Sequence, residues 1–175
     1  MPGSPNIASI FAQRVVVGVG DMSVSNNASL TLSTYALGSC VGVVAYDPAV
    51  RAGGLLHLML PESRLSPEKA ARQPAMFADT GLPLLFRALA GLRADRARLR
   101  IFVAGGANVL GSGVDNFKIG ERNIRATASY LSQVGLSVVR SDVGGTINRT
   151  LHLDVGTGEI KMKTPTANET YSLAA

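Results

Sequence analysis

The residues able to do chemistry are few, and three of them fall close together in the chain. Cys40 is the only cysteine in 175 residues, and it closes the tetrad Leu37-Gly38-Ser39-Cys40 just before the apolar run Val41 to Tyr46. Seventeen residues on, His57 interrupts the apolar run Gly53 to Leu60. A thiol with an imidazole beside it is a nucleophile with its base, the pair needed to open an amide or ester carbon. A lone cysteine is more often an inert core residue. Cys40 stands apart because the turn before it lets backbone N–H groups converge on a developing oxyanion, which makes Gly38 and Ser39 the candidate oxyanion and substrate pocket. Such a thiol is expected to react faster near neutral pH than a free one of pKa about 8.5. His57 needs partners for its nitrogens in so apolar a strand. By spacing alone, Thr34 is either the group that holds the imidazole by its second nitrogen or an ordinary β-branched strand residue.

The second histidine is a weaker base candidate. In Leu151-His152-Leu153-Asp154-Val155 the leucines take one face, and His152 shares a solvated face with Asp154. The glycine pairs Gly105-Gly106 and Gly144-Gly145 follow strands but lack the residues of a phosphate or dinucleotide loop, so they read as tight turns lining a pocket.

Positioning the thiol beside the imidazole falls to a hairpin. Strands over 40–46 and 52–60 are joined by Asp47-Pro48-Ala49-Val50-Arg51, a short connection with turn chemistry. Pairing Tyr46 with Gly53 sets Cys40 opposite Met59 and leaves His57 one diagonal step away on the same face, roughly 7–8 Å at Cα. A slip of one residue would put the two on opposite faces.

Around the hairpin the pattern predicts strands at Arg14–Gly20, Leu30–Tyr35, Leu99–Ala104 and Leu136–Val143, and a closing hairpin at 150–155 and 159–163. An amphipathic helix from Pro74 to about Leu92 is expected to bend or split at Pro83, and a second runs from Glu121 to Val134. Residues 22–28 read as turn-rich and 61–73 as a polar, mobile loop. The whole is one α/β domain over 14–163, mixed or antiparallel in its sheets with two main helices, between a flexible leader at 1–13 and a polar, frayed tail at 164–175.

Composition narrows the class. An apolar fraction of 46% with 17% charged residues describes a packed body. One cysteine excludes an internal disulfide framework, and two histidines are too few for a zinc site. The start lacks the pattern of a signal peptide and no apolar stretch is long enough to span a bilayer, so the expectation is a cytoplasmic protein without membrane insertion. The net charge of +5 rests on arginine, with five between Arg87 and Arg100 against the single Asp95. That run reads as a solvated helix end, or as a docking patch for an acidic protein. Aromatics are too scarce around it for nucleic-acid binding.

The set Thr34…Leu37-Gly38-Ser39-Cys40-Val41, Gly54…His57…Leu60-Pro61, Ala78-Asp79-Thr80, Gly105-Gly106-Ala107, Ile119-Gly120-Glu121-Arg122-Asn123 and Asp142-Val143-Gly144-Gly145 resembles the chemoreceptor glutamine deamidases, the CheD family. Order and spacing match from about Val16 to Lys163. The resemblance implies a layered α/β sandwich, similar to the catalytic domain of a glutamine-deamidating toxin. It implies hydrolysis of selected glutamine side chains to glutamates in methyl-accepting chemotaxis receptors, with no cofactor or metal. It places the family's catalytic Cys, His and Thr on Cys40, His57 and Thr34. The family also docks a CheY-phosphate phosphatase, CheC, so the alternative is a binding module that regulates it; that role needs neither Cys40 nor His57. One departure is Asn148 before Arg149, where the family usually has glycine, which bears on substrate choice near that loop.

Overall fold

The computed structural model describes residues 13–111 and 116–175. The leader expected at 1–13 lies outside the described residues except for Gln13. In chain order the elements are β1 (Gln13–Val16), β2 (Asp21–Ser25), β3 (Leu30–Leu37), β4 (Val41–Asp47), β5 (Ala52–Leu58), α1 (Pro67–Arg72), α2 (Ala78–Gly91), β6 (Arg100–Gly105), α3 (Ile119–Gln133), β7 (Val138–Val143), β8 (Arg149–Asp154), β9 (Glu159–Lys163) and β10 (Asn168–Ser172).

The strands form two five-stranded sheets, in the orders β1-β3-β8-β9-β10 and β2-β5-β4-β6-β7. Pairing is antiparallel except for β1 with β3 and β6 with β7. Apolar side chains divide into two cores. Leu32, Val44, Tyr46, Leu55, Leu151 and Leu153 fill the space between the sheets. Val43, Leu56, Leu58, Leu82, Leu85 and Leu131 join the second sheet to α2 and α3. The result is a layered α/β sandwich: sheet, sheet, helices. This layering explains why β4 and β5 read as nearly unbroken apolar runs, since every residue in both strands is buried, on one face by helices and on the other by the first sheet.

The central hairpin has the expected register, Tyr46 with Gly53 and Val41 with Leu58. Its turn is closed by Asp47, which is fully buried and takes Ala49 N at 3.0 Å, Asp95 N at 2.8 Å and Arg98 Nη2 at 2.8 Å. Burial alone would raise this carboxyl, but the Arg98 guanidinium and the two amides outweigh it and hold Asp47 below the usual carboxylate range. Two arginines of the basic run therefore serve the fold, because Arg96 also donates to the carbonyl of Val134 at 3.0 Å.

Several expectations are corrected. Residues 22–28, read as turn, contain β2, an edge strand whose Met22 and Val24 pack toward the helices while Asp21, Ser23 and Ser25 alternate with them. The loop read at 61–73 holds a 3-10 turn at Ser63–Leu65 and the helix α1. The tail read as frayed contains β10, paired with β9 from Ser172–Glu159 to Asn168–Lys163, and Leu173 beyond it is only 2% exposed. Pro83 neither splits nor ends α2: the lost backbone bond is borne by a helix whose Leu82, Leu85 and Leu89 are fully buried on the sheet. Pro74 instead opens a separate 3-10 turn at Pro74–Met76.

Leu173 gives a direct check on the closing strand. Leu173→Ala should lower the unfolding free energy in urea by about 2–4 kcal/mol, as buried leucine truncations do. An unchanged midpoint would mean that the segment after 164 is detached in solution.

Candidate active site

The first sheet contributes a threonine and the second a histidine, and the two meet across the sandwich. Thr34, fully buried on β3, has its hydroxyl 2.7 Å from His57 Nδ1 on β5 and 2.7 Å from the carbonyl of Val17. A carbonyl can only accept, so the hydroxyl proton goes to Val17 O, and the threonine oxygen then accepts from His57 Nδ1–H. Neutral His57 is left with a bare Nε2. That atom is buried without a hydrogen-bond partner among the described residues.

The link from β1 to β2 makes this possible. It leaves the first sheet at Val17, whose amide is held by Ser33 O at 2.7 Å, and joins the second at Gly20, whose amide donates to His57 O at 2.8 Å. Directly across the hairpin from His57 is Gly42. A Cβ there would lie 2.9 Å from a Leu37 methyl and 3.1 Å from a Leu151 methyl, so glycine lets the leucines of the first sheet pack closely over this point. Cys40 precedes Gly42 by two residues, shares its face, and packs half-buried against the core between the sheets. The structure thus brings Thr34 and His57 into contact and carries Cys40 to the same side of the sheet.

His152 is on the other face of the first sheet. It pairs with Ser33 in register, and Ser33 Oγ lies 2.7 Å from its Nδ1. No carbonyl among the described residues commits the Ser33 proton as Val17 O commits that of Thr34, so this contact leaves the direction of donation open. The face is less solvated than its alternation suggests: His152 is 7% exposed, with the Tyr35 ring edge-on at 5.5 Å.

The Gly38–Cys40 turn is fixed from behind. Three successive carbonyls are engaged: Gly38 O by Ala107 N at 2.7 Å, Ser39 O by Asn123 Nδ2 at 2.9 Å and Cys40 O by Gly106 N at 2.8 Å. In a trans peptide the N–H points opposite to the C=O, so the amides of Ser39 and Cys40 face away from these donors. The turns at Gly105-Gly106 and Gly144-Gly145 form a second tier, joined by Gly144 N to Gly105 O at 2.9 Å and Asn108 N to Gly145 O at 2.8 Å. Arg149, 5% exposed, braces that tier through Gly144 O at 2.7 Å and Asp142 Oδ1 at 2.8 Å. Ala36, at φ 55, sits in the bulge of β3 between Thr34 and Leu37, just before the turn. A non-glycine residue in the left-handed region stores strain, as is common near reactive groups.

A cavity of about 240 Å³ opens at Ser39, with Met59, Leu60, Ala107, Asn108 and Ile119 among its walls. Its surroundings are apolar and exposed, with Met59, Val109 and Leu110 open to solvent. Burial pushes the Cys40 thiol up, against a smaller opposing pull from its own backbone amide. Burial also pushes His57 down, against the smaller effect of the Val17 contact. Both effects of burial favour the uncharged forms, thiol and neutral imidazole.

Sequence reasoning singled out Cys40 and His57, took Thr34 from the family resemblance, and marked Asn123 only as part of a motif. The Val17 carbonyl and the bracing role of Arg149 were missed. Backbone acceptors and third-tier supports leave no local pattern.

Two measurements follow. Long-range ¹⁵N–¹H spectra of the folded protein at pH 7.5 should show His57 protonated on Nδ1; a proton on Nε2 would refute the assignment. The unfolded chain protonates its histidines as pH falls through about 6.5, the folded one only at lower pH, so below 6.5 the unfolded state binds more protons and stability falls. The urea midpoint should drop between pH 7 and pH 5, and less steeply in His57→Gln, which stays neutral. A midpoint that rises on acidification would mean that the fold accommodates imidazolium.

Comparison with known proteins bears on the same residues. A family model described as CheD chemotactic sensory transduction matches residues 59–164, a span that takes in Asn123 and both glycine turns and starts just after His57. A probable chemoreceptor glutamine deamidase CheD 1 from Syntrophus aciditrophicus is 44% identical over 85% of this chain and 92% of its own length. Probable chemoreceptor glutamine deamidases CheD from Solibacter usitatus and Pyrococcus abyssi are 41% and 39% identical, over 85% and 87% of this chain and 87% and 93% of their own lengths. A solved Neisseria meningitidis protein of the family DUF152 aligns at 15% identity with a TM-score of 0.36, over 77% of this chain and 62% of that one. With more than half of the chain inside the family model and curated relatives matched nearly end to end, the chain belongs to the CheD family.

Proposed function

We propose that this protein hydrolyses the side-chain amide of selected glutamines in methyl-accepting chemotaxis receptors, with Cys40 as nucleophile, His57 as base and acid, and Thr34 as the group that orients His57. The observation that carries the reading is the bare, buried Nε2 of His57, held in that tautomer by Thr34 on the face that bears the lone thiol. Names of close relatives, each a probable chemoreceptor glutamine deamidase, supply the substrate class. An open cavity with an apolar rim suits a side chain presented from a protein surface better than a small free molecule.

The steps follow from the resting protonation. His57 Nε2 takes the Cys40 proton as sulfur attacks the glutamine Cδ, forming the C–S bond and placing negative charge on the carbonyl oxygen. The amides of Ser39 and Cys40 receive that oxyanion. Imidazolium returns its proton to the amide nitrogen, the C–N bond breaks, and ammonia leaves a thioester. His57 then removes a proton from water, whose oxygen attacks the thioester carbon; the C–S bond breaks and the sulfur recovers its proton. Throughout, Nδ1–H stays on Thr34, which accepts more strongly as the ring becomes charged.

No helix among the described residues is long and apolar enough to cross a membrane. We place the enzyme in the cytoplasm, at the helical bundle of the receptor, with a CheC-type phosphatase as a further partner.

Incubation with a receptor cytoplasmic fragment followed by peptide mapping tests the reading. Wild type should add about one mass unit, and one negative charge at neutral pH, at particular glutamines. Cys40→Ala should add none yet still bind the fragment. His57→Ala should lose about 10²–10⁴-fold in rate. Thr34→Val should lose less, and His152→Gln should lose little. If folded wild type modifies no glutamine in several receptors while it and Cys40→Ala bind a CheC-type phosphatase equally, the binding-module reading replaces this one.

A further inference from the structure

One polar side chain ties the loop of the thiol to the strand of the imidazole. Asn123, fully buried on α3, donates from Nδ2 to Ser39 O at 2.9 Å and to Met59 O at 2.9 Å. Ser39 adjoins Cys40, and Met59 lies two residues beyond His57. These two carbonyls sit on opposite strands of the hairpin, just past its last paired residues, Val41 and Leu58. Beyond that pair the ladder no longer fixes the separation of the two chains. The Asn123 carboxamide takes over there, because one –NH₂ offers two N–H bonds at a fixed angle.

The approach of α3 is equally constrained. A Cβ on Gly120 would lie 2.5 Å from Gly106 O and 2.8 Å from Ala107 O, and one on Gly106 would lie 2.4 Å from Ile124. The helix is seated against the backbone of the loop that engages Gly38 and Cys40, and that seat brings Asn123, one turn along, within reach of both carbonyls.

We propose that Asn123 is a positioning residue for the Cys40–His57 pair, setting the separation of nucleophile and base by bridging Ser39 O and Met59 O; this rests on the deamidase reading above. Asn123 touches no reacting atom and acts through the two backbones. Other side chains fail for different reasons: aspartate has no N–H, glutamine is one methylene too long, and leucine leaves both carbonyls without a donor.

The test uses the full chain with Asn123→Leu, Asn123→Asp, Gly120→Ala and a matched control. Thr127→Val is that control: Thr127 is on the same helix and buried like Asn123, and its Oγ1 makes no hydrogen bond among the described residues. Folding is followed by circular dichroism and thermal unfolding, catalysis by deamidation of a receptor fragment, and pair geometry by the pH dependence of Cys40 alkylation with iodoacetamide. Both Asn123 variants should keep the fold and lose about 10–100-fold in kcat with little change in KM, as displacements near 1 Å do. Their alkylation profile should collapse onto that of His57→Gln, and adding His57→Gln to Asn123→Leu should change it no further. Gly120→Ala, which displaces the helix with the carboxamide intact, should show the same kcat-selective loss. Thr127→Val should match wild type.

The proposal is overturned if Asn123→Leu keeps wild-type kcat and alkylation profile, or if Thr127→Val is damaged as badly. Should neither Asn123 variant fold, wild-type kcat in Gly120→Ala overturns it. Alkylation needs no receptor, so an inactive wild type would count against the deamidase reading while the alkylation arm still decided the role of Asn123.

Discussion

The arrangement depends on where one proton is held. The Thr34 hydroxyl gives its hydrogen to the Val17 carbonyl and so has only lone pairs to offer His57. Without that carbonyl the same hydroxyl could donate to the imidazole, and the bare nitrogen would be Nδ1. The chemistry of His57 is thus set by a backbone atom 17 residues up the chain from Thr34.

The layered fold makes such control affordable in a small domain. Only a strand pair buried on both faces can enclose an imidazole, and only a turn whose carbonyls are all engaged can present its amides on one side. Burial raises the thiol and lowers the imidazole, which disfavours separated charge in a low-dielectric space. In the proposed reaction, charge develops when a substrate carbonyl is there to receive it, and the amides of Ser39 and Cys40 are already oriented by Ala107 and Asn123.

Much of this was legible in the sequence because the hairpin is local. Five turn residues and two apolar runs specify the register that puts Cys40 and His57 on one face. Legibility failed where structure depends on distant partners. β2 is two apolar residues among polar ones and becomes a strand only because β5 offers an edge. β10 is polar in sequence and is recruited by β9. The second-nitrogen partner of His57 could be guessed as Thr34, but its direction of donation could not, since Val17 O belongs to a connection with no signature. The family resemblance marked Asn123 without its reason, which appears only once the helix is seated against the loop.

Thr34 belongs to one sheet, His57 to the other, and Cys40 to the turn that leads into that second sheet. On the proposed mechanism, reactivity therefore acts as a gauge of the gap between two layers. A hydrogen bond of 2.7 Å tolerates little expansion. Slackening of the inter-sheet core would release the imidazole while every strand stayed paired and every helix wound. On the proposed mechanism such a protein falls silent before it melts, its working range bounded by the stiffness of the packing between its sheets and not by the persistence of its secondary structure.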